Sequence, residues 1–490
     1  MPRDRTMPQS SERGIAMILA LFMVLVLSTL GSSLMFLAET ETWSSANYRL
    51  TAQSRYAAES GVQKAAHHLL YEYVPPGTVL DPIASYDLTA SPVTFNGAPV
   101  VLSGNPAVPS NYPVAAAQDA FDIAAQGAFG LHTGVANYTA SATLLSMRQF
   151  TDPFSGAVGI IQRWQITGEG RVSGPRSSRV EVAAVVERQL EPAFEQSAFA
   201  TDGGCGALTF TGNASTDSYD SSAPLQGGQP VLSDSGGSVG TNGNLSATGN
   251  ATVNGTLSSP GSGVGSCTAG GVTAETLTGN ATVTGGLTQV AQPTTYPTPP
   301  APNPLPPTNT QNFADCTGLP SCTSSGSVIT ITPPSPTSQV MFGNIDLSGN
   351  KTVHLNAGIY VVNSLSMSGN TEIIIDSGPV VFQIAGQGVT DVISIAGDGI
   401  SDASYNPANL QFVYGGTGNI SLDSATMSGT LYAPNATGAF SGNADFYGAV
   451  ILKQLAVSGN AAVHYDRKLQ TSSLVTAGNY TMSSFTWKSF

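Results

Sequence analysis

Charged side chains are scarce in this chain of 490 residues. Asp, Glu, Lys and Arg together make up 10% of it, and no Lys or Arg occurs between Arg188 and Lys351. A protein that binds nucleic acid needs basic side chains on its surface to neutralise phosphates. The formal net charge is −14, and this charge together with the long stretch lacking bases argues against nucleic acid as a partner.

Recognised catalytic motifs are also missing. The chain contains no HExxH, GxSxG or P-loop sequence, and it has only five histidines. His67 and His68 are adjacent in a helical segment and point in different directions, whereas His354 and His464 each follow a repeated tripeptide at the same distance. That equivalence favours a packing or surface role over a metal centre. We therefore expect a protein that is not an enzyme and that uses no cofactor.

One acidic stretch is the best remaining candidate for chemistry. Asp376, Asp391, Asp398 and Asp402 lie close together in the sequence. A glycosidase needs two carboxylates facing each other across a substrate, and a calcium site needs several converging oxygens. Asp398 and Asp402 are the weak candidates for a metal site, and solvated loop positions are the simpler interpretation. The alternative function is accordingly a membrane-anchored, polysaccharide-active β-helix enzyme.

Only four cysteines occur, at Cys205, Cys267, Cys316 and Cys322. An even number in an exported chain favours disulfides, for which three connectivities exist. Cys316 and Cys322 enclose five residues and could close a small local loop. A zinc site is the rival interpretation, but no CxxC motif and no cluster of histidines accompanies these residues.

A long apolar run is what the chain does have near its start. Residues 15 to 38 form an uncharged run of 24. As a helix it would measure about 36 Å at roughly 1.5 Å per residue, enough to cross a bilayer. We therefore predict a transmembrane segment over 15–38, and no signal-peptidase site is evident after it.

The flanking charges predict the orientation of this segment. Arg3, Arg5 and Arg13 precede it, and Glu39 and Glu41 follow it at once. Positive charges tend to stay in the cytoplasm. Residues 1–14 are thus predicted to be a cytoplasmic leader, and the bulk of the chain is predicted to be exported from a bacterial inner membrane.

Residues 39–74 continue as an amphipathic helix. Apolar or small residues recur at nearly helical spacing, for example at Leu50, Ala57, Val62 and Leu69. A single rod from the start of the apolar run to Tyr73 would be about 90 Å long. After this stem, short alternating runs predict a pilin-like, β-rich region over 75–195 that packs on the outer half of the stem.

The second half of the chain is repetitive. From Ala207 onward the tripeptide Ser/Thr-Gly-Asn appears eight times, usually beside an alternating apolar run. Gly and Asn tolerate left-handed backbone angles and suit sharp corners between short strands. This period predicts a parallel β-solenoid over 196–490, in which the asparagines could stack as a ladder. The alternative is a β-sandwich with repeated turn chemistry. The eight tripeptides end at Asn213, Asn250, Asn280, Asn350, Asn370, Asn419, Asn443 and Asn460.

Two further features refine the solenoid prediction. Residues 288–312 are dense in proline and would be extended, either as a tether between two halves or, better, as an excursion along one solenoid. The alternating tail is expected to cap the last coil as an edge strand. The predicted inward positions are Ile345, Leu347, Val353, Leu355, Leu365, Met367, Ile373 and Ile375.

The N-terminal region resembles a known family. The segments ERGIAMILALFMVLVLSTLG and AAESGVQKAA are similar to the N-terminus of PilX-type pilus-assembly proteins, the minor pilins of type IV pili. In major pilins a Gly precedes the processing site and a Glu is the fifth residue after it. Here Gly14 fits, and Leu19 stands where that Glu would be, a departure shared by PilX-type proteins. The resemblance implies processing between Gly14 and Ile15. It also implies stem packing through Ile15, Ile18, Leu19, Phe22, Val26 and Leu30.

The second half has its own resemblance. The phrases GNASTDSYDS, from residue 212, and LYAPNATGAFSGNADFYGAVILKQLAVSGNAAVHYD, from residue 431, are similar to a β-helical domain often joined to PilX-type N-termini. The role of that domain is not established. The chain also looks distantly like bactofilins and polysaccharide-handling solenoids.

Together these observations predict an α+β protein with a long N-terminal transmembrane, pilin-like helix, a β-rich middle region and a C-terminal parallel β-solenoid. The expected function is that of a non-catalytic pilus-assembly or minor pilin-like protein. Its solenoid would serve adhesion or surface structure. The expected partners are other pilin subunits, the inner-membrane assembly machinery, the lipid bilayer and surface glycans.

Overall fold

A computed structural model describes residues 12–73, 75, 83–131, 134–154, 156, 158–173, 177–290, 292–326, 328–471 and 475–489. The chain forms two compact units. The first consists of Met1–Phe150, Ile160–Gln189 and Gly478–Phe490, and the second of Thr151–Gly159 and Leu190–Ala477.

One helix contains both the apolar run and the predicted stem. Helix α1 spans Glu12–His67 and passes into a π-helical turn over His68–Glu72. It is uninterrupted because it contains no proline and only isolated glycines, each of which costs about 1 kcal/mol in a helix. Helix α2 spans Ala115–Ala124. Single 3₁₀ turns lie at Ile83–Ser85, Pro407–Asn409 and Arg467–Thr471.

Eight strands precede the repeats. They are β1 (Tyr86–Asp87), β2 (Thr94–Phe95), β3 (Ala98–Pro99), β4 (Val101–Ser103), β5 (Gln126–Leu131), β6 (Gly134–Thr151), β7 (Val158–Ser173) and β8 (Ser178–Pro192).

The repeat region adds strands that are mostly short, and one more strand ends the chain. They are β9 (Ala198–Ala200), β10 (Leu208–Gly212), β11 (Ser215–Tyr219), β12 (Val239–Thr241), β13 (Leu245–Gly249), β14 (Thr252–Val253), β15 (Leu257–Ser259), β16 (Glu275–Gly279), β17 (Thr282–Val283), β18 (Leu287–Gln289), β19 (Thr310–Gln311), β20 (Cys322–Ser325), β21 (Val328–Ile331), β22 (Gln339–Met341), β23 (Asn344–Leu347), β24 (Thr352–Leu355), β25 (Gly358–Val362), β26 (Ser364–Met367), β27 (Glu372–Ile375), β28 (Val380–Ile384), β29 (Asp391–Ala396), β30 (Gly399–Ser401), β31 (Leu410–Tyr414), β32 (Asn419–Asp423), β33 (Thr426–Ser441), β34 (Asp445–Gly459), β35 (Ala462–Asp466) and β36 (Val475–Ser489).

The main sheet of the first unit has the order β36-β8-β7-β6-β4, with β5 also paired to β6. Strands β7 and β8 form a long antiparallel pair that runs from Arg163 opposite Glu187 to Val172 opposite Ser178. The alternating residues of these strands bury one face, as expected for a sheet covered on one side. A separate small sheet joins β1, β2 and β3.

The outer half of α1 packs directly on β7 because glycine leaves the strand bare at two positions. A Cβ on Gly168 would lie 2.5 Å from the carbonyl oxygen of Ala58. A Cβ on Gly170 would collide with the carbonyl oxygen of Ser54 and the backbone nitrogen of Ala58. The Ser54 hydroxyl donates a hydrogen bond to the carbonyl oxygen of Ser178 at 3.0 Å. The predicted contact between the stem and the β-rich region is therefore a close approach of two backbones.

The C-terminal tail differs from the expectation that it caps the last coil. Strand β36 instead pairs with β8 in the sheet of the first unit. The hydroxyl of Tyr480 donates to Oε1 of the buried Gln162 at 3.2 Å. An alternating strand can complete any open sheet edge, and the sequence carries no signal for which edge it joins. The repeat region therefore ends before the tail. The chain passes between the two units more than once, because Thr151–Gly159 and Leu190–Ala477 belong to the second unit and Gly478–Phe490 belongs to the first.

Most strands of the second unit pair in parallel with the strand three positions later; an exception is the antiparallel pair of β20 and β21. Strand β10 pairs with β13 and β13 with β16, while β11 and β12 begin two further series of the same kind. The same period links β21 through β30 and β22 through β31. We call each set of three consecutive strands a coil. The long strands β33 and β34 each supply all three positions of a coil.

The first coil of this unit stacks on the last one. Leu208 of β10 pairs with Leu455 of β34, and Thr216 of β11 pairs with Val463 of β35. Strand β9 pairs with β34 through Phe199 and Ile451. The first coil therefore lies inside the stack, between the last coil and the coil formed by β12, β13 and β14. The coils before and after the proline-rich segment thus form one series.

The inward positions are filled by one apolar core that runs through the stack. Each coil has only a narrow inward face, so that face is buried only when neighbouring coils cover it. All eight predicted inward residues are buried, namely Ile345, Leu347, Val353, Leu355, Leu365, Met367, Ile373 and Ile375.

The repeated tripeptides form corners between strands. Seven of their eight glycines have a positive φ, between 69° and 88°, which only glycine adopts without strain. The adjacent asparagines form the predicted ladder: the Asn213 side-chain amide donates to Asn460 at 2.8 Å, and Asn250 donates to Asn213 at 3.1 Å. These bonds satisfy exposed amides without charge. Equivalent bonds join Asn280 to Asn250, Asn460 to Asn443 and Asn370 to Asn350.

The proline-rich segment lies along the stack. Asn242 exchanges two hydrogen bonds with the backbone of Thr294, and the Tyr432 hydroxyl donates to the carbonyl oxygen of Pro297 at 2.8 Å. Further along, Gln387 donates to the carbonyl oxygen of Pro306 and Asn344 to that of Thr308. Residues of this segment thus bond to the second unit on both sides of it in the sequence.

Gly170→Val is expected to lower the free energy of unfolding of the first unit by at least about 2 kcal/mol, because the added carbons meet backbone atoms of α1 that cannot move aside. Urea titration of the full chain in detergent, followed by the fluorescence of the buried Trp164, measures this change. Gly130→Val in β5 is the matched control, since a Cβ there meets nothing within 4 Å. Equal midpoints for the two variants would contradict the close packing.

Candidate functional sites

The apolar half of α1 is uncovered in the single chain. The six predicted packing residues Ile15, Ile18, Leu19, Phe22, Val26 and Leu30 are between 38% and 69% exposed. At 100° per residue they form one stripe along the helix. Within the described part of the chain, this is the one helix long and apolar enough to cross a membrane, by length and composition.

The predicted processing site lies at the start of this helix. Gly14 and Ile15 are inside the first turns of α1, which begins at Glu12. Residues 1–11 of the predicted leader, including Arg3 and Arg5, lie outside the described residues. Cleavage at this site stays a prediction.

The four aspartates of the acidic stretch serve separate local purposes. Asp376 pairs with Nδ1 of His354 at 2.8 Å, and Asp391 accepts a hydrogen bond from Asn419 at 3.0 Å. Buried Asp402 accepts from Ser404, Asn406 and Asn409 and so fixes the loop after β30.

The metal-site prediction for Asp398 and Asp402 gains no support from this arrangement. Asp398 lies exposed in a turn, and the carboxylate of Asp402 is occupied by its own loop. No group of three His, Cys, Asp or Glu side chains that could hold a metal ion occurs among the described residues. The paired, facing carboxylates that a glycosidase needs are likewise not assembled from this stretch.

All four cysteines are paired in disulfides. Cys205 bonds to Cys267, with 5.6 Å between their Cα atoms, and Cys316 bonds to Cys322, with 5.4 Å. The second pair closes the predicted local loop. The first pair ties an insertion between β15 and β16 to the corner before β10, and so fixes an irregular segment of the repeat.

A buried histidine joins the first coil to the last two. Nδ1 of His464 lies 2.6 Å from Asp217 of β11, and Nε2 lies 3.3 Å from Asp445 of β34. The ring stacks on Tyr447 with 4.4 Å between centroids. The register explains the contact, because His464 pairs with Asp217 on one side and with Tyr447 on the other.

The two carboxylates keep this histidine protonated. Burial alone would lower the pKa of His464, but the hydrogen bonds and charges of Asp217 and Asp445 together raise the pKa to about 9. His354 occupies the same repeat position and also pairs with an aspartate of the neighbouring coil, but its side chain is 27% exposed. The two histidines thus share a sequence position and an aspartate partner, whereas the burial of His464 depends on the loop and coils around it.

A second charged group lies in the first unit. Glu169 of β7 is nearly buried and forms ion pairs with Arg171 and with Nε of Arg179, the latter at 3.0 Å. Burial opposes ionisation of Glu169, but these two bases lower its pKa overall. This group was not predicted from the sequence. The sequence does carry a signal for it, the Gly-Glu-Gly pattern at residues 168–170. Both glycines face the helix, and the carboxylate between them faces away from it.

Histidine 464 is expected to make the second unit less stable at alkaline pH. Its folded pKa is raised above about 6.5, so its contribution is complete below pH 6.5 and is lost as the pH rises through about 9. Between pH 6 and 9.5 the unfolding free energy should fall by up to about 3 kcal/mol more than in His464→Gln. Urea titrations followed by circular dichroism measure this difference.

His354→Gln is the matched control for this experiment, because it changes the same repeat position where the side chain is less buried. It should keep the full pH dependence of the unchanged protein. If His464→Gln keeps that dependence as well, the charged bridge between coils is wrong.

Comparison with known families supports the reading of the stem. The PilX N-terminal family model matches residues 13–63, and a domain of unknown function, DUF7305, matches residues 337–472. No curated protein matches the chain.

Among solved structures, the competence-associated pilin ComZ from Thermus thermophilus is similar at 14% identity, over 90% of this chain and 98% of that one. Its TM-score of 0.24 is too low to support an argument about fold or function. The PilX match lies within the residues that carried the predicted resemblance, and it confirms that prediction. The chain is therefore a type IV pilin-like protein with a PilX-type N-terminus, followed by a domain of uncharacterised function.

Proposed function

We propose that the chain is a minor pilin-like protein of a type IV pilus or a related filament. The observation that carries this proposal is the build of α1: its first half is apolar and exposed, and its second half packs on the sheet of the first unit. A helix with this division can lie in a bilayer before assembly and among other stems afterwards. Its partners would be other pilin subunits and the inner-membrane assembly machinery.

The membrane orientation follows from the flanking charges. Arg13 lies before the apolar run, and Glu39 and Glu41 lie after it. This arrangement favours a cytoplasmic N-terminus and an exported body, because positive charges are retained inside. Disulfides are also typical of an oxidising compartment outside the cytoplasm. Both observations support an inner-membrane protein whose two units face outward.

The second unit would be a parallel β-solenoid with three strands per coil. Its support is the parallel pairing of most strands with the strand three positions later, together with the single inward core. Such a rod would be a stiff element. Its length would be set by the number of coils, and the stacking of the first coil on the last would hold the two series together.

The outward side of this rod suits neutral ligands. Thr209, Ser246 and Thr276 pair in register on adjacent coils and form a row of hydroxyl groups. No Lys or Arg occurs in this part of the chain. Hydroxyl and amide groups without charge can bind sugars by hydrogen bonds, and this supports adhesion to surface glycans as the role of the rod. The enzymatic alternative is not favoured, because the match to the PilX N-terminal family supports a pilin-like protein.

Gly14→Val is expected to block processing of the N-terminus. The unchanged protein, extracted from membranes, should begin at Ile15, whereas the variant should keep the leader because a branched side chain fills the position before the cleaved bond. Intact-mass spectrometry and N-terminal sequencing measure both. Gly31→Val is the matched control, since it adds the same side chain to the same helix where a Cβ meets nothing within 4 Å. If the unchanged protein keeps its leader, the pilin proposal is wrong.

A further inference from the structure

The two ends of the stack of coils in the second unit differ. At one end, β19, β21 and β22 pair with the next strands of the stack, and β20 lies antiparallel on the other side of β21. Phe313 is buried there, with its ring 5.5 Å from that of Phe342. The disulfide loop also places Cys316, Leu319 and Cys322 against the core. We call this the covered end.

The other end, formed by β16, β17 and β18, is open. Each of these strands pairs with the strand three positions earlier. On their other side the described residues form a single bridge, between Val264 and Glu275. Several inward residues of this end pack on the core but stay partly exposed, in contrast to the buried residues of β13, β14 and β15. They are Leu277, Ala281, Val283 and Leu287.

Glu275 stands at an inward position of this open end. The register places it beside Leu245, which follows Leu208 and Leu455 in the same row of the stack. The three leucines are at most 1% exposed, and Glu275 is 7% exposed. Among the described residues, the Oε2 atom of Glu275 is buried without a hydrogen-bond partner. Burial disfavours the charged form and raises the pKa of this carboxyl group.

A carboxylate at this position costs stability. A polar group that is removed from water without a hydrogen bond is unfavourable, and leucine fills the same position elsewhere in the row without that cost. An inward-pointing charge on an outermost strand is, however, one of the features that keep sheet edges from pairing with other chains. The cost of Glu275 thus falls where such a feature is useful.

We propose that Glu275 terminates the stack by preventing its open end from joining the open end of a second copy of the chain. The inference rests on the proposed β-solenoid and not on the pilin function. The covered end cannot accept another coil, because β20 and Phe313 already lie on it. Only two open ends could therefore meet, related by a two-fold axis. Such a contact would bury both Glu275 carboxylates in one continuous core.

The loop before β16 protects only part of the open end. The backbone nitrogen of Gly265 donates to the carbonyl oxygen of Glu275 at 2.9 Å, and the disulfide between Cys205 and Cys267 fixes this loop. From Leu277 onward, the described residues show no bridge of this kind. The carboxylate therefore acts next to the edge that the backbone leaves uncovered.

Glu275→Leu tests the proposal, because it removes the carboxylate and restores the residue of the neighbouring coils. The full chain in detergent should then associate at least about tenfold more tightly than the unchanged protein, since leucine side chains are buried in place of carboxylates. Sedimentation velocity over a range of protein concentrations measures the association constant. The variant should also need more urea to unfold, which shows that it is folded.

Asp346→Leu is the matched control. It removes one carboxylate and adds one leucine in β23, but Asp346 is exposed on the outer side of the stack. Its association constant should equal that of the unchanged protein. All three proteins share the same stem, so any association through α1 is common to them. No increase with Glu275→Leu, or an equal increase with both variants, would overturn the proposal.

Hydrogen–deuterium exchange locates the contact. In Glu275→Leu, the amides of residues 277–289 should exchange more slowly as the protein concentration rises, because the second copy covers the open end. The amides of residues 310–325, at the covered end, should not change. Slower exchange at 310–325 without any change at 277–289 would place the contact elsewhere and would show the proposal to be wrong.

A separate disulfide distinguishes this proposal from the β-solenoid on which it rests. Asn213 and Asn460 are hydrogen-bonded at 2.8 Å between neighbouring coils. If Asn213→Cys and Asn460→Cys form a disulfide but Glu275→Leu does not strengthen association, the solenoid stands and the role of Glu275 is wrong. If that disulfide does not form, the stack is wrong and the proposal fails with it.

Discussion

The repeat region depends on the backbone pairing between its first coil and its last. Parallel strands cannot be closed by tight turns, and each inward face stays exposed until another coil covers it. Strands β9, β10 and β11 meet β34 and β35, so two series of coils bury one continuous core. The proline-rich segment then has to run back along the stack, and its contacts with Asn242 and Gln387 follow from that path.

The scarcity of charged side chains affects both units. Exposed asparagines bond to one another across coils, and the few ionic groups are placed where backbone register brings opposite charges together, as at His464 and Asp217. In the first unit, Glu169 fixes two arginines while the glycines beside it admit the stem. A chain with few charges thus uses several of them for specific contacts.

Much of this could be predicted from the sequence. The apolar run, the stem, the Gly-Asn corners and the eight inward positions follow from local periodicity, which is a property of single segments. The order of the strands in the sheets does not follow from local periodicity. The pairing of β36 with β8 and the stacking of Leu208 on Leu455 join residues far apart in the chain, and alternation alone fits many partners.

The central claim is that the first and last coils in the sequence are neighbours in one stack. Its most direct test is a disulfide between Asn213→Cys and Asn460→Cys. These side chains are hydrogen-bonded at 2.8 Å across adjacent parallel strands, whose spacing of about 4.8 Å suits a disulfide. Peptide mapping by mass spectrometry should find the bond within single chains. The pair Asn213→Cys and Asn350→Cys should give none. The claim would be contradicted if the disulfide between residues 213 and 460 does not form in the folded, oxidised protein, or if both pairs form disulfides equally.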